Sequence, residues 1–200
     1  ADEIVSFGGA ELAARLKAVS ADHLLHISDT GIKRLARSGT IATLLPLTAF
    51  SLNEPYAPGR RMIDAGCAVA LASDLNPGSC FSSSIPLLFA LACIQMKLTP
   101  EEALTALTIN GAAALGREKK VGSIDVGKKA DLVLLKFPSY KFLPYHIGMN
   151  IVDTVIKDGV LYIVNGEVRY HRNTLRDKVN KTYYQCIANN VCNTSNRNKD

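Results

Sequence analysis

Along the first 115 residues, short apolar runs alternate with stretches whose apolar positions recur at helical spacing. The segment "GGAELAARLKAVS" at 8–20 predicts a helix. "ADHLLHI" at 21–27 predicts a strand. "SDTGIKRLARSG" at 28–39 predicts a second helix, opened by Ser28 as cap and closed by Gly39. "TIATLLP" at 40–46 is the next predicted strand, and "APGRRMIDAG" at 57–66 a short helix closed by glycine. "CAVALAS" at 67–73 is almost continuously apolar, as a parallel strand covered on both faces would be. It runs into Asp74 and a turn of Asn76, Pro77 and Gly78. "SSSIPLLFALACIQM" at 82–96 is too short for a membrane span and predicts a buried helix.

Strands that alternate with helices imply βαβ units and a parallel sheet. Both a doubly wound sheet and a β/α barrel satisfy that order. In either, ligands meet the loops that follow the C-terminal strand ends. A strong helix at 99–116 follows, with Thr99 as cap, Pro100 in the first turn and Glu102 at the capping-box position. The pattern then changes. Residues 121–137 and 152–168 predict short strands with Asp-Gly and Asn-Gly turns, hence antiparallel pairing. The expected organisation is 1–116 as a partial β/α barrel and 117–168 as part of a small β domain. A divergent polar tail follows at 169–200, partly disordered, with a short helix at 178–190.

The composition, 48% hydrophobic and 20% charged, is that of a globular core. The net charge of +5 changes meaning once it is located. Residues 169–200 hold seven Lys or Arg against two Asp, so the remainder is near neutral. The tail lacks the aromatic and glycine pattern of an RNA-binding module, so nucleic acid is not an expected partner. Cys67, Cys80, Cys93, Cys186 and Cys192 form no C-x-x-C pair. They read as free thiols of a reducing, cytoplasmic compartment.

Asp74 is the first candidate for chemistry. An Asp before Asn-Pro-Gly seeds a turn; at a strand end it can equally ligate a zinc or iron ion or act as a general base. His23 sits where the first strand opens into its loop, and reads either as a core histidine or as a group facing the same edge. His26, three positions on, falls on the other face and reads as structural. Asp2 and Glu3 read, taken alone, as solvated charge. Gly78 and Ser79, at the expected start of the helix "SSSIPLLFA", offer backbone N–H groups to an anion.

Several segments together carry a resemblance: "ADEI" at 1–4, "SADHL" at 20–24, "GTIATLLP" at 39–46, "LASDLNPGS" at 71–79, "LTPEEALTALTINGAAALG" at 98–116, "VGSIDVGKKADLVLL" at 121–135 and "PYHIGMN" at 144–150. The chain resembles the C-terminal half of the imidazolonepropionases, a family of the amidohydrolase superfamily. The likeness extends from about residue 1 to 166. It implies an α/β fold, the C-terminal part of a (β/α)8 amidohydrolase barrel with part of a small β domain. It implies one zinc or iron ion, and opening of 4-imidazolone-5-propanoate to N-formimidoyl-L-glutamate in histidine degradation. It assigns Asp74 to the metal and to proton transfer, and His23 to the attacking water. Glu3 would lie beside the substrate ring, and Asn76, Gly78 and Ser79 would bind substrate. The expected partners are that small molecule and a second copy in a homodimer, without membrane or nucleic acid.

The H-x-H pair of the first barrel strand, and the histidine that the family places before "ADE", are absent from these 200 residues. Most expected metal ligands therefore lie outside them, and the isolated chain is expected to be inactive. The alternatives are a non-catalytic amidohydrolase fragment and another amidohydrolase activity such as nucleobase deamination.

Overall fold

The computed structural model describes residues 1–169. The tail expected over 169–200, with its short helix, lies outside the described residues except for Arg169. The chain runs α1 (Gly9–Arg15), β1 (Ser20–Asp22), α2 (Asp29–Ser38), β2 (Ile41–Leu44), α3 (Pro46–Leu52), α4 (Gly59–Asp64) and β3 (Val69–Leu71). It continues as α5 (Ile85–Ile94), α6 (Pro100–Leu107), α7 (Ile109–Ala114), β4 (Leu132–Leu135), a 3-10 turn (Tyr140–Phe142), β5 (Val152–Lys157), β6 (Val160–Val164) and β7 (Glu167–Val168).

The first three strands form a parallel sheet in the order β1-β2-β3. Ser20 pairs with Ile41, and Ala42 with Val69, so the C-terminal ends line up on one edge. Every residue of β3 is buried, as its unbroken apolar run requires. Leu44, Val69 and Leu71 join Leu24, Leu35, Met62, Leu88 and Phe89 in one apolar cluster between sheet and helices.

Local chemistry sets the helix limits. Ser28 caps α2 by accepting from the N–H of Gly31, and Gly39 ends it at φ 76°. The buried side of α2 carries Gly31, Ile32 and Leu35, while Lys33, Arg34 and Arg37 face out. Gly31 is required by close packing: a Cβ there would meet Ile27 Cγ1 at 2.9 Å and Ala10 Cβ at 3.1 Å. Thr99 and Glu102 complete the predicted capping box of α6. Arg60 of α4 donates to both carboxylate oxygens of Glu102 at 2.7 and 3.0 Å, which ties α4 to α6.

Four expectations are corrected. The first helix stops at Arg15, and Val19 O already accepts a hydrogen bond from Ile41 N at 3.0 Å. The strand expected over 21–27 is only Ser20–Asp22, because His23 and Leu24 turn to positive φ. Pro46 does not end a strand but starts α3, where its missing N–H costs nothing. The helix expected over 99–116 breaks at Thr108 (ψ −91°) into α6 and α7.

The second sheet has the antiparallel order β4-β5-β6-β7. The Asp158-Gly159 and Asn165-Gly166 turns join its hairpins with positive φ at both residues of each pair. Only Leu132–Leu135 of the segment 121–137 is strand.

Candidate functional site

The candidate residues gather in two groups at the C-terminal edge of the parallel sheet, Glu3 with His23 after β1, and Asn76 and Ser79 with Asp74 after β3. At the end of β1, His23 N still donates to Thr43 O at 3.0 Å, adding one rung to the ladder. The chain then turns through His23 (φ 73°) and Leu24 (φ 62°). Leu24 is fully buried, and its N–H donates to Ala1 O at 3.0 Å. Burial of that side chain holds two left-handed residues in place, each of which costs about 1–2 kcal/mol. At the end of β3, Ala72 N donates to Leu44 O at 3.2 Å, and the chain then turns at Asp74 (φ 51°). His23 and Asp74 thus leave the same edge two strands apart, a backbone spacing of about 10 Å.

Asp74 is half-buried. Its Oδ2 accepts a hydrogen bond from Thr48 Oγ1 at 2.7 Å. Among the described residues Oδ1 has no hydrogen-bond partner. His23 is half-buried, and its Nδ1 stands 3.3 Å from Glu3 Oε1. That is ion-pair distance, but the atoms are not aligned for a hydrogen bond, and Nδ1 has no hydrogen-bond partner among the described residues. Glu3 therefore lies against the His23 imidazole. The backbone N–H of His26 donates to Asp2 O at 2.9 Å.

Asp2 departs from the sequence reading. It is buried, not solvated, and its carboxylate accepts from the N–H groups of Phe7, Gly9 and Ala10 at 2.8 to 3.0 Å. Burial pushes its pKa up, but these N–H groups, Ala10 first, outweigh burial and hold it below the ordinary value. Asp2 organises the entry to α1.

The loop after Asp74 is organised by Asn76. Asn76 Oδ1 accepts from the N–H groups of Gly78 and Ser79, both at 2.8 Å. Its Nδ2 donates to Asp74 O at 2.8 Å and to Ser79 Oγ at 3.0 Å. The expected anion cradle at a helix start is thus corrected. α5 begins at Ile85 with Ser84 as its cap, and the N–H groups of Gly78 and Ser79 are already taken.

No three His, Cys, Asp or Glu side chains among the described residues come together as a metal site. The free Oδ1 of Asp74 is a donor suited to a zinc or iron ion, but a catalytic zinc keeps about three protein ligands. The described residues supply one part of such a centre. The arrangement can hold one flank of a cation and accept a proton at Oδ1. Thr48, which fixes the other oxygen, went unnoticed in the sequence; nothing in "LPLTAF" marks a hydroxyl that reaches across 26 residues. No helix of the described residues is long and apolar enough to cross a membrane.

Comparison with known proteins places the chain. It is 82% identical over 164 residues to the imidazolonepropionase of Parabacteroides distasonis, covering 82% of this chain and 39% of the relative. It is 72% identical over 162 residues to that of Bacteroides fragilis, covering 81% of this chain and 39% of the relative. The chain thus spans about two fifths of the length of these curated relatives. Among solved structures, an adenosine deaminase from Xanthomonas campestris with bound zinc superposes with a TM-score of 0.72 at 23% identity. It covers 90% of this chain and 45% of its own. E. coli guanine deaminase superposes with a TM-score of 0.60 at 21% identity, covering 78% of this chain and 40% of its own. These likenesses show the fold and, with the family model below, make the parallel sheet and its helices part of an amidohydrolase barrel that the antiparallel sheet accompanies. The family model for the amidohydrolases matches residues 7–164, well over half of the sequence, and the chain belongs to the amidohydrolase family.

Proposed function

We propose that the protein carrying this chain is a metal-dependent hydrolase that opens the ring of 4-imidazolone-5-propanoate to N-formimidoyl-L-glutamate. The observation that supports it is the 82% identity to an imidazolonepropionase. The organisation that goes with this reading is a partial barrel over 1–116 and part of a small β domain over 117–168. Asp74 contributes one ligand to a zinc or iron ion whose other ligands lie outside these residues. Bound there, such an ion supplies a water acidic enough to lose its proton near pH 7, and polarises the ring carbonyl.

The chain's own groups do the rest. Asp74 Oδ1 takes the proton of the water as its oxygen adds to the ring carbonyl carbon, and returns it to the ring nitrogen as the C–N bond breaks. His23, held against Glu3, orients the water and steadies the oxygen that gains charge. Glu3 lies beside the substrate ring. The Asn76–Ser79 loop closes the substrate's side of the site, with Asn76 holding the loop in shape. A cytoplasmic homodimer without a membrane or nucleic-acid partner completes the proposal.

The test is an assay of the full-length protein with zinc or iron added. Ring opening of 4-imidazolone-5-propanoate is expected. Deamination of guanine or cytosine without ring opening would replace this reading with the deaminase alternative. Residues 1–200 alone, with one ligand, are expected to show no turnover above a metal blank; turnover would contradict the ligand count.

A further inference from the structure

We infer that Thr48 is a positioning residue for Asp74, one that commits Oδ2 to a hydrogen bond and leaves Oδ1 as the reactive oxygen. This rests on the proposed role of Asp74. Thr48 is 2% exposed and lies in the first turn of α3, among the buried Pro46, Leu47 and Ala49. That packing gives the hydroxyl a fixed platform. A threonine in a helix commonly donates to the carbonyl four residues back. Thr105 does so to Glu101 O at 2.9 Å, and Thr108 to Leu104 O at 2.6 Å. Thr48 does not. The carbonyl four residues before it, Leu44 O, accepts from Ala72 N, and the Thr48 hydroxyl spans to Asp74 at 2.7 Å.

A hydroxyl has a single proton to donate, so one acceptor takes all of it. Among the described residues, Asp74 is otherwise held through its backbone, at a left-handed φ and by Asn76 Nδ2 on its carbonyl oxygen. With Oδ2 anchored from β2's exit, rotation about the Cβ–Cγ bond is restrained, and Oδ1 is the oxygen presented to a cation or a water. Outer-shell partners of this kind typically govern metal affinity or rate by about 10–100-fold.

The experiment compares Thr48→Val, Thr48→Ala and Thr48→Ser in the full-length protein. Three quantities are measured: thermal unfolding, zinc affinity by chelator competition with zinc alone as the probe, and kcat and KM for ring opening. The expected result is folded Val and Ala variants with zinc affinity or kcat down about 10–100-fold and KM within about threefold, and a Ser variant restored to within a few fold of the parent. Zinc affinity is read without turnover. If the parent protein binds zinc but does not open the imidazolone ring, the functional reading fails and the Thr48 result stands by itself. Unchanged zinc affinity and kcat in folded Val and Ala variants would overturn the inference. So would loss of folding in both, which would make Thr48 a packing residue, or a Ser variant no better than Val.

Discussion

Asp74 and Asp158 share a backbone conformation, φ 51° at each, and almost nothing else. Asp158 stands in a hairpin turn of the antiparallel sheet, followed by Gly159 at φ 79°. There the left-handed pair is what a two-residue hairpin demands, and its carboxylate meets Lys129 Nζ at 2.6 Å. Asp74 stands at the end of a buried parallel strand, where no hairpin requires the conformation, and one of its oxygens has no partner among the described residues. His23 repeats this at the end of β1. The hairpin explains the left-handed residue at Asp158, whereas the one at Asp74 comes with a carboxylate oxygen left open at the strand end, the oxygen on which the proposed function rests.

The largest effect separates the two aspartates directly. Asp74→Asn in the full-length protein should lower kcat by about 10²–10⁴-fold with the fold retained, while Asp158→Asn leaves it within about twofold. Steady-state kinetics beside a far-UV spectrum decides; a near-normal Asp74→Asn enzyme would return Asp74 to the status of Asp158.

The two sheets should also differ in stability. Leu44, fully buried in β2, should cost about 2–5 kcal/mol as Leu44→Ala, whereas Leu134 of β4, 48% exposed, should cost less than about 1. Urea denaturation measures both. Asp2→Asn should follow at about 1–3 kcal/mol near pH 7, since two or more backbone donors lose a charged acceptor. The native pKa of Asp2 is lowered, so its contribution is full above the ordinary 3.8 and fades as pH falls through the lower native value. The gap between Asp2→Asn and parent should therefore narrow below about pH 4. The smallest effect belongs to the exposed Lys129–Asp158 pair: Lys129→Met should shift stability by at most about 1 kcal/mol, and less at high salt.

What the sequence disclosed follows the range of the interaction. Ser28, Gly39, the Thr99–Glu102 box and the Asp158-Gly159 turn act within four residues, so their signals are local and the structure has them where the sequence places them. The exit of β3 toward Asp74 was also legible, because a continuous apolar run must end where its edge opens; the exit of β1 at His23 was not, because the apolar Leu24, Leu25 and Ile27 extend the strand pattern past the turn. Burial of Asp2 was not, since its three donors come from a fold-back five to eight residues on. α3 was hidden because a proline after an apolar run marks a strand end and a helix start equally well. Thr48 was the least legible: its bond to Asp74 exists only once β2 and β3 lie side by side.

On the proposed function, the β3 edge delivers one particular carboxylate oxygen to a metal. Anomalous diffraction at the zinc edge, on crystals of the full-length protein grown with zinc, tests it most directly. The expected result is a zinc peak about 2.0–2.2 Å from Asp74 Oδ1, with Oδ2 still accepting from Thr48. A zinc ion bound elsewhere, with Asp74 touching only Thr48 and its own turn, would contradict it.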